Sequence, residues 1–236
     1  MSAILLTGSS RGIGAATHTM LSQRGAKVIG HASSAGRGDA IGADFTQPSA
    51  PQFLWEEALA QSGGRIDVLI NNAGLFEANP LHGSDIDWLD RWEDTLRINL
   101  TAAAQLTRYA IKHWIETGRE GRIVHVASRA AYRGDSPDHW HYAAAKGGMV
   151  ALHKTIARAY ADRGILSFAV TPGFTDTAMA GDYLASRGGD DVLRDIPLGR
   201  VAEPDEIAAV IAFCALDAPA SMTGAVIDAN GASYVR

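Results

Sequence analysis

Only one cysteine, Cys214, occurs in the chain, so no disulfide can form within it and a small cross-linked secreted scaffold is excluded. Runs of basic residues are missing, and 26 acidic side chains against 21 basic ones leave a formal net charge of −5. The electrostatic footprint of a nucleic-acid binder is therefore absent, and no nucleic-acid partner is expected. No window of about eighteen uncharged apolar residues exists, so no membrane span is expected. The start, Met1-Ser2-Ala3-Ile4-Leu5-Leu6-Thr7, lacks the basic opening and long apolar stretch of a signal peptide. A cytoplasmic location follows as the expectation. There is no repeat and no linker, so residues 1–236 are expected to form one domain. Hydrophobic residues at 47% against 20% charged rule out a disordered chain.

What is present is an alternation of short apolar runs with longer amphipathic ones. Strands are expected at 3–7, 27–31, 39–43 (weak), 66–70, 122–127, 165–171 and 224–228. Helical patterns fall at 13–23, from Pro48 to Gly63, at 94–116, at 142–160 and from Pro204 to Cys214, with a loop from Leu75 to about Arg91. Strands separated by helices imply an α/β protein with parallel pairing and helices on both faces. Cys214 shares an apolar helix face with Ile207, Val210 and Ile211, which makes it a core residue rather than a nucleophile.

Between the first strand and first helix lies Thr7-Gly8-Ser9-Ser10-Arg11-Gly12-Ile13-Gly14. Gly8 permits a tight turn, Gly12 a close backbone approach to a pyrophosphate, and Gly14 close packing of helix on strand. The helix N-terminus adds amide donors and positive potential. Further along come Asn71-Asn72-Ala73-Gly74, Asn99, Ser128, Tyr142 with Lys146 four residues on, and Pro172-Gly173. These ordered motifs resemble the short-chain dehydrogenases/reductases in their single-domain form, and the resemblance covers nearly the whole chain. It implies a Rossmann-like, doubly wound, three-layer fold with a seven-stranded parallel sheet in the order 3-2-1-4-5-6-7. One departure is plain. Only residues 32–39 join the second and third strands, whereas a parallel crossover normally takes a dozen or more with a helix. The family helix is expected to shrink to a turn containing Gly36 and Gly38.

Tyr142 and Lys146 share a helix face. Hydride transfer to a ketone builds negative charge on oxygen, so a proton donor is needed, and a base in reverse. A free tyrosine titrates near 10, and a nearby ammonium lowers that. The resemblance implies that Lys146 also donates to the nicotinamide ribose, and that Asn99 holds a water of the proton relay. Ser128, at the end of a strand, is placed to steady the substrate oxygen. The catalytic set is thus Asn99, Ser128, Tyr142 and Lys146. Tyr132 is a rival, but residue 136 is Ser136 rather than Lys, so Tyr132 is assigned to the substrate wall.

After the second strand come His31-Ala32-Ser33-Ser34-Ala35-Gly36-Arg37, without the acidic residue typical of NAD sites. Ser33, Ser34, Arg11 and Arg37 suit the extra phosphate of NADP, which is favoured over NAD. The resemblance places Asp44 against the adenine amino group and the Phe45 amide on the ring. It places Asn72, Ala73 and Gly74 along the cofactor mid-section, and Pro172, Gly173, Phe174, Thr175 and Thr177 around the nicotinamide. The expected cofactor contacts are therefore Gly8, Ser10, Arg11, Gly12, Ile13, Gly14, His31, Ser33, Ser34, Asp44, Phe45, Asn72, Ala73, Gly74, Tyr142, Lys146, Pro172, Gly173, Phe174, Thr175 and Thr177.

Three stretches are expected to wall the substrate: Arg129, Tyr132, Asp138, His139 and Trp140; Leu75-Phe76-Glu77; and a mobile lid over 174–198 with Gly181, Gly188 and Gly189. Aromatics mixed with polar groups suit a small polar or cyclic alcohol or ketone. His139 and His141 lack further ligands at metal spacing, so no metal is expected and both are read as surface or supporting residues. Trp88 and Trp92, four apart, suit a helix face packed on the body or on another subunit. The expected activity is an NADP-dependent oxidoreductase acting on CH–OH or C=O. The 3-oxoacyl carrier-protein reductases, the sugar or polyol dehydrogenases, and a non-catalytic cofactor-binding regulator are the alternatives. Family resemblance implies a homo-oligomer, dimer or tetramer, through the helices at 94–116 and 142–160.

Overall fold

The structure, a computed structural model, describes residues 1–35, 39–177 and 193–236. Seven strands form one sheet in the order β3-β2-β1-β4-β5-β6-β7. They are β1 (Ala3–Leu6), β2 (Lys27–Ala32), β3 (Ile41–Gly42), β4 (Val68–Asn71), β5 (Gly121–Val126), β6 (Ile165–Pro172) and β7 (Val226–Ala229). Every neighbouring pair is parallel, with Leu5 level with both Ile29 and Leu69. The helices are α1 (Gly12–Gln23), α2 (Ala50–Ser62), α3 (Asp85–Leu96), α4 (Ala102–Thr117), α5 (Ala130–Arg133), α6 (Trp140–Tyr160) and α7 (Pro204–Ala212).

Both faces of the sheet are covered, which is why its strands read as unbroken apolar runs. Leu5, Leu69 and Ile123 pack with Leu54 and Trp55 of α2 and with Leu106 and Trp114 of α4. The alternate residues Ile4, Leu6, Ile70, Val124 and Phe168 pack on the other side with Leu21 of α1 and Ile207 and Ile211 of α7. The expected strand order and three layers are found. β1 pairs with both β2 and β4, so the chain winds outward in two directions from there. A crevice opens beyond the carboxyl ends of those central strands.

Several boundaries differ from the sequence reading. The loop expected up to Arg91 ends earlier, because α3 starts at Asp85. Ser84 Oγ accepts from the Asp87 amide at 3.1 Å, and Asp85 and Asp87 favour the positive end of the helix. Trp88, Leu89, Trp92 and Leu96 fall on one face of this helix, although Thr95 is its only buried residue. A π-helical turn, Arg97–Thr101, joins α3 to α4 and carries Asn99. The helix with Pro204 in its first turn is capped as expected from neighbouring positions, the Glu203 amide donating to Glu206 Oε2 at 2.8 Å. It passes into a second π turn, Phe213–Asp217, where Cys214 is fully buried and Arg122 donates to its carbonyl at 3.2 Å.

The weak third strand shortens to two residues. The described part of the crossover, residues 33–35, 39 and 40, contains no helix. It closes tightly because a Cβ on Gly42 would stand 2.4 Å from the Ala35 amide nitrogen. Gly36, Arg37 and Gly38 lie outside the described residues, as do residues 178–192 with most of the expected lid.

Candidate active site

A cleft of about 660 Å³ runs from the glycine turn to α6. At its first end Gly8 and Gly12 take left-handed backbone angles, φ +68° and +52°, that disfavour any side chain. Gly14 is needed for contact: a Cβ there would meet the Gly8 carbonyl oxygen at 1.9 Å. Thr7 Oγ1 accepts from the amides of Asn72 and Ala73, both at 2.9 Å, and Asn72 Nδ2 donates to the carbonyls of Thr7 and Gly8. The motif after β4 thus braces the turn after β1.

Gly8, Ser10, Arg11, Gly12, Ile13, Gly14, His31, Ser33, Asp44, Phe45, Asn72, Ala73, Gly74, Tyr142, Lys146, Pro172, Gly173, Phe174, Thr175 and Thr177 all line this cleft. Ser34 does not. It is exposed, in the turn that packs back on Gly42. Asp44 is exposed, and its Oδ1 accepts from the Thr46 amide at 2.9 Å.

At the far end Ser128, Tyr142 and Lys146 meet. Ser128 follows β5; its Oγ accepts from the Ala130 amide at 3.1 Å, and its hydroxyl acts on the Tyr142 phenol. Lys146 Nζ donates to the Val126 carbonyl at 2.9 Å and lies 5.7 Å from the centre of the Tyr142 ring. Burial pushes the phenol up to about 12, with the Ser128 hydroxyl opposing that rise and the Asp135 charge adding to it. Burial also brings the Lys146 amine down to about 8. The expected lowering of the phenol by the Lys146 ammonium is not found: burial raises it, and the lowering influence is Ser128.

Asn99 is fully buried and does not line the cleft. Its Nδ2 donates to the carbonyls of Leu75 and Thr95, and its Oδ1 accepts from the Leu75 amide. The side chain therefore fixes the backbone beside Gly74. Gly74 must stay bare, since a Cβ would lie 2.8 Å from Asn99 Oδ1 and 3.6 Å from Lys146 Nζ.

Residues 8–231 match the protein family described as enoyl-(acyl carrier protein) reductase. The chain is 34% identical to the 3-oxoacyl-[acyl-carrier-protein] reductase of Vibrio cholerae over 98% of its own length and 96% of that protein's. It is also 34% identical to the cis-4-hydroxycyclohexanecarboxylate dehydrogenase of Sinomonas cyclohexanicum, covering 96% and 94%. Among solved structures, one assigned as an NAD(P)-dependent gluconate 5-dehydrogenase from Beutenbergia cavernae, with NADP bound at low occupancy, superimposes with a TM-score of 0.85. It is 30% identical, over 98% of this chain and 95% of that one. The chain belongs to the short-chain dehydrogenase/reductase family.

In this short-chain dehydrogenase/reductase the substrate end departs from several expectations. Tyr132 is not in the cleft wall. It stacks on Tyr234 with centroids 5.5 Å apart and lies under the Arg236 guanidinium. Asp138, His139 and Trp140 also stay out of the lining. His139 and His141 are buried rather than superficial, and His139 stacks at 4.0 Å behind Phe76, which does face the cleft. Trp88 and Trp92 stack at 5.3 Å, and Trp92 lies 6.4 Å from the His141 ring. Among the described residues no group of three or more His, Cys, Asp or Glu is placed to hold a metal ion, and no helix is long and apolar enough to cross a membrane.

The structure adds features that sequence reasoning missed. Arg129 lies 4.7 Å over the Phe174 ring at the cleft wall and reaches Asp195, which Arg133 holds more closely at 2.6 Å. His125 of β5 sits just before Val126, fully buried. Burial brings it down to about 3, so it adds no second cation near Lys146. Spacing in the sequence held no sign of either contact.

Proposed function

We propose that the chain is an NADP(H)-dependent oxidoreductase that interconverts a small polar or cyclic alcohol and its ketone. The observation that carries this reading is the meeting of Ser128, Tyr142 and Lys146 at one end of a cleft whose other end is the bare glycine turn. The glycines at 8, 12 and 14 suit a pyrophosphate. Arg11 and Ser33, with no acidic residue following β2, suit the extra phosphate of NADP. A bound nicotinamide supplies or accepts the hydride. Ser128 holds the substrate oxygen, and Tyr142 delivers the proton to it during reduction and removes it during oxidation. Lys146 places its cation beside the phenol and the ribose. Asn99 acts through the loop it fixes.

Phe76, Phe174 and the Arg129 guanidinium give the substrate end flat apolar walls with one cationic edge. Such walls suit a compact, ring-bearing or acidic substrate, in line with the hydroxy-acid substrates named for the Sinomonas and Beutenbergia proteins. Similarity to the Vibrio reductase supports the alternative of 3-oxoacyl carrier-protein reduction. The chain is read as one domain working in the cytoplasm as a homo-oligomer. An apolar groove between α4 and α6, lined by Ile111, Ile115, Leu152 and Ile156, supports the last point. A panel of cyclic ketones, keto acids and 3-oxoacyl thioesters, run with NADPH and NADH, tests the reading. Turnover unaffected by Tyr142→Phe would overturn the mechanism.

A further inference from the structure

His31 is the penultimate residue of β2, beside the glycine turn and the short crossover, and is 3% exposed. The Gly8 amide donates to its Nδ1 at 3.1 Å, and its Nε2 lies 2.8 Å from the Ala43 carbonyl. An amide can only donate and a carbonyl can only accept. The ring is therefore neutral, with the proton on Nε2 and the lone pair on Nδ1. Phe45 stacks on its face with centroids 4.3 Å apart and planes 14° apart. The His31 carbonyl accepts from the Ser9 amide at 2.9 Å and from Ser9 Oγ at 3.2 Å. One side chain thus ties the phosphate turn to the segment Ala43–Phe45 where the adenine end of the cleft begins.

We propose that His31 is a positioning residue for the dinucleotide, and that it works only as the neutral Nε2–H tautomer, so that cofactor affinity falls on acidification. This rests on the cofactor reading above. An imidazolium would turn an N–H toward the Gly8 amide, breaking that bond and setting two donors against each other. The groups packed on the ring are the Gly8 amide, the Ala43 carbonyl and the Phe45 ring. The charged side chains that share this end of the cleft among the described residues are Arg11 and Asp44, and neither hydrogen-bonds the ring. Burial also holds the imidazole below its ordinary 6.5. The contribution is therefore complete above that pH and is lost as pH falls below it.

Two measurements test this. The first is imidazole nitrogen NMR of the cofactor-free protein between pH 5 and 8. It is expected to show the Nε2–H tautomer down to below pH 6.5. An Nδ1–H ring, or one already half-protonated at that pH, would overturn the proposal. The second is NADPH and NADH binding by fluorescence over the same range for the natural chain, His31→Gln and His31→Phe. The 2′-phosphate of NADPH titrates near pH 6 on its own, so the readout is the difference between proteins. At pH 7.5 His31→Phe, which keeps the stack but neither hydrogen bond, is expected to weaken binding about tenfold. His31→Gln, with an amide oxygen and an amide N–H, is expected to lose less and to remove the extra acid dependence, which approaches tenfold per pH unit. An unchanged Phe variant, or a Gln variant with the natural slope, would overturn it. Failure to bind NADPH while binding NADH would count against the cofactor reading alone, and the same comparison is then read with NADH.

Discussion

At the β5–α6 end of the cleft Ser128 and Lys146 are held by the backbone of regular elements, whereas the β2–β3 end is assembled from turns. Ser128 is fixed by the Ala130 amide and Lys146 by the Val126 carbonyl, and Asn99 clamps the loop at Leu75 from a π turn. At the other end β3 has two residues, the crossover has no helix among its described residues, and Arg11, Ser33 and Asp44 are exposed. A single buried imidazole joins the parts there. The contrast teaches that hydride chemistry demands fixed atoms near the reacting carbon. Grip on the distant half of the cofactor can be met by a looser, chain-specific arrangement.

The largest expected effect separates the two ends outright. Tyr142→Phe should lower turnover by about 10²–10⁴-fold, the range for losing a positioned acid–base group, with cofactor affinity changed less than about twofold. Equal losses in both would merge the two ends into one unit. Arg11→Ala probes the opposite end. NADPH affinity should fall about 10–100-fold, as for a lost charge-assisted bond, while NADH affinity holds. Loss of both would place Arg11 at the pyrophosphate instead.

Acidity distinguishes the ends by sign. With the Lys146 amine at about 8 and the Tyr142 phenol at about 12, reduction should decline above pH 8 as the ammonium is lost, while the phenol still holds its proton. For folding, the same lysine acts in the other direction. Its native value lies below the ordinary 10.5, so its contribution to stability grows as pH rises from about 8 toward 10.5. A rate profile for Lys146→Met that keeps the alkaline limb would assign it elsewhere. The smallest effect belongs to Ser34, which is exposed and does not line the cleft. Ser34→Ala should shift NADPH affinity by less than about twofold, whereas Ser33→Ala should weaken it severalfold, as removal of a hydrogen bond to phosphate would.

Much of this was legible in the residues. The doubly buried strands announce themselves as apolar runs, as at Ile123-Val124, and glycines at 8, 12 and 14 mark a turn that tolerates no side chain. Tyr142 and Lys146 could be paired because four residues on a helix return to one face. Helix α3 was legible too, from the capping signal of Ser84 with Asp85 and Asp87 and from Trp88, Leu89, Trp92 and Leu96 on one face, but its many aspartates make the stretch read as a loop. Tyr132 was misplaced because sequence distance from Ser128 says nothing about the pull of Tyr234 and Arg236, a hundred residues away in the chain. The tautomer of His31 was illegible for the same reason. Its two partners belong to different turns, 23 and 12 residues distant.

The π turn that seats Cys214 gives the molecule an internal stopwatch. Burial pushes this thiol up to about 11, so at neutral pH only about one molecule in ten thousand carries the reactive thiolate, and none of it meets solvent. A thiol-directed dye can react only when this π turn opens from the core in which it is buried. Its labelling rate in water therefore clocks that opening without denaturant and without any introduced probe.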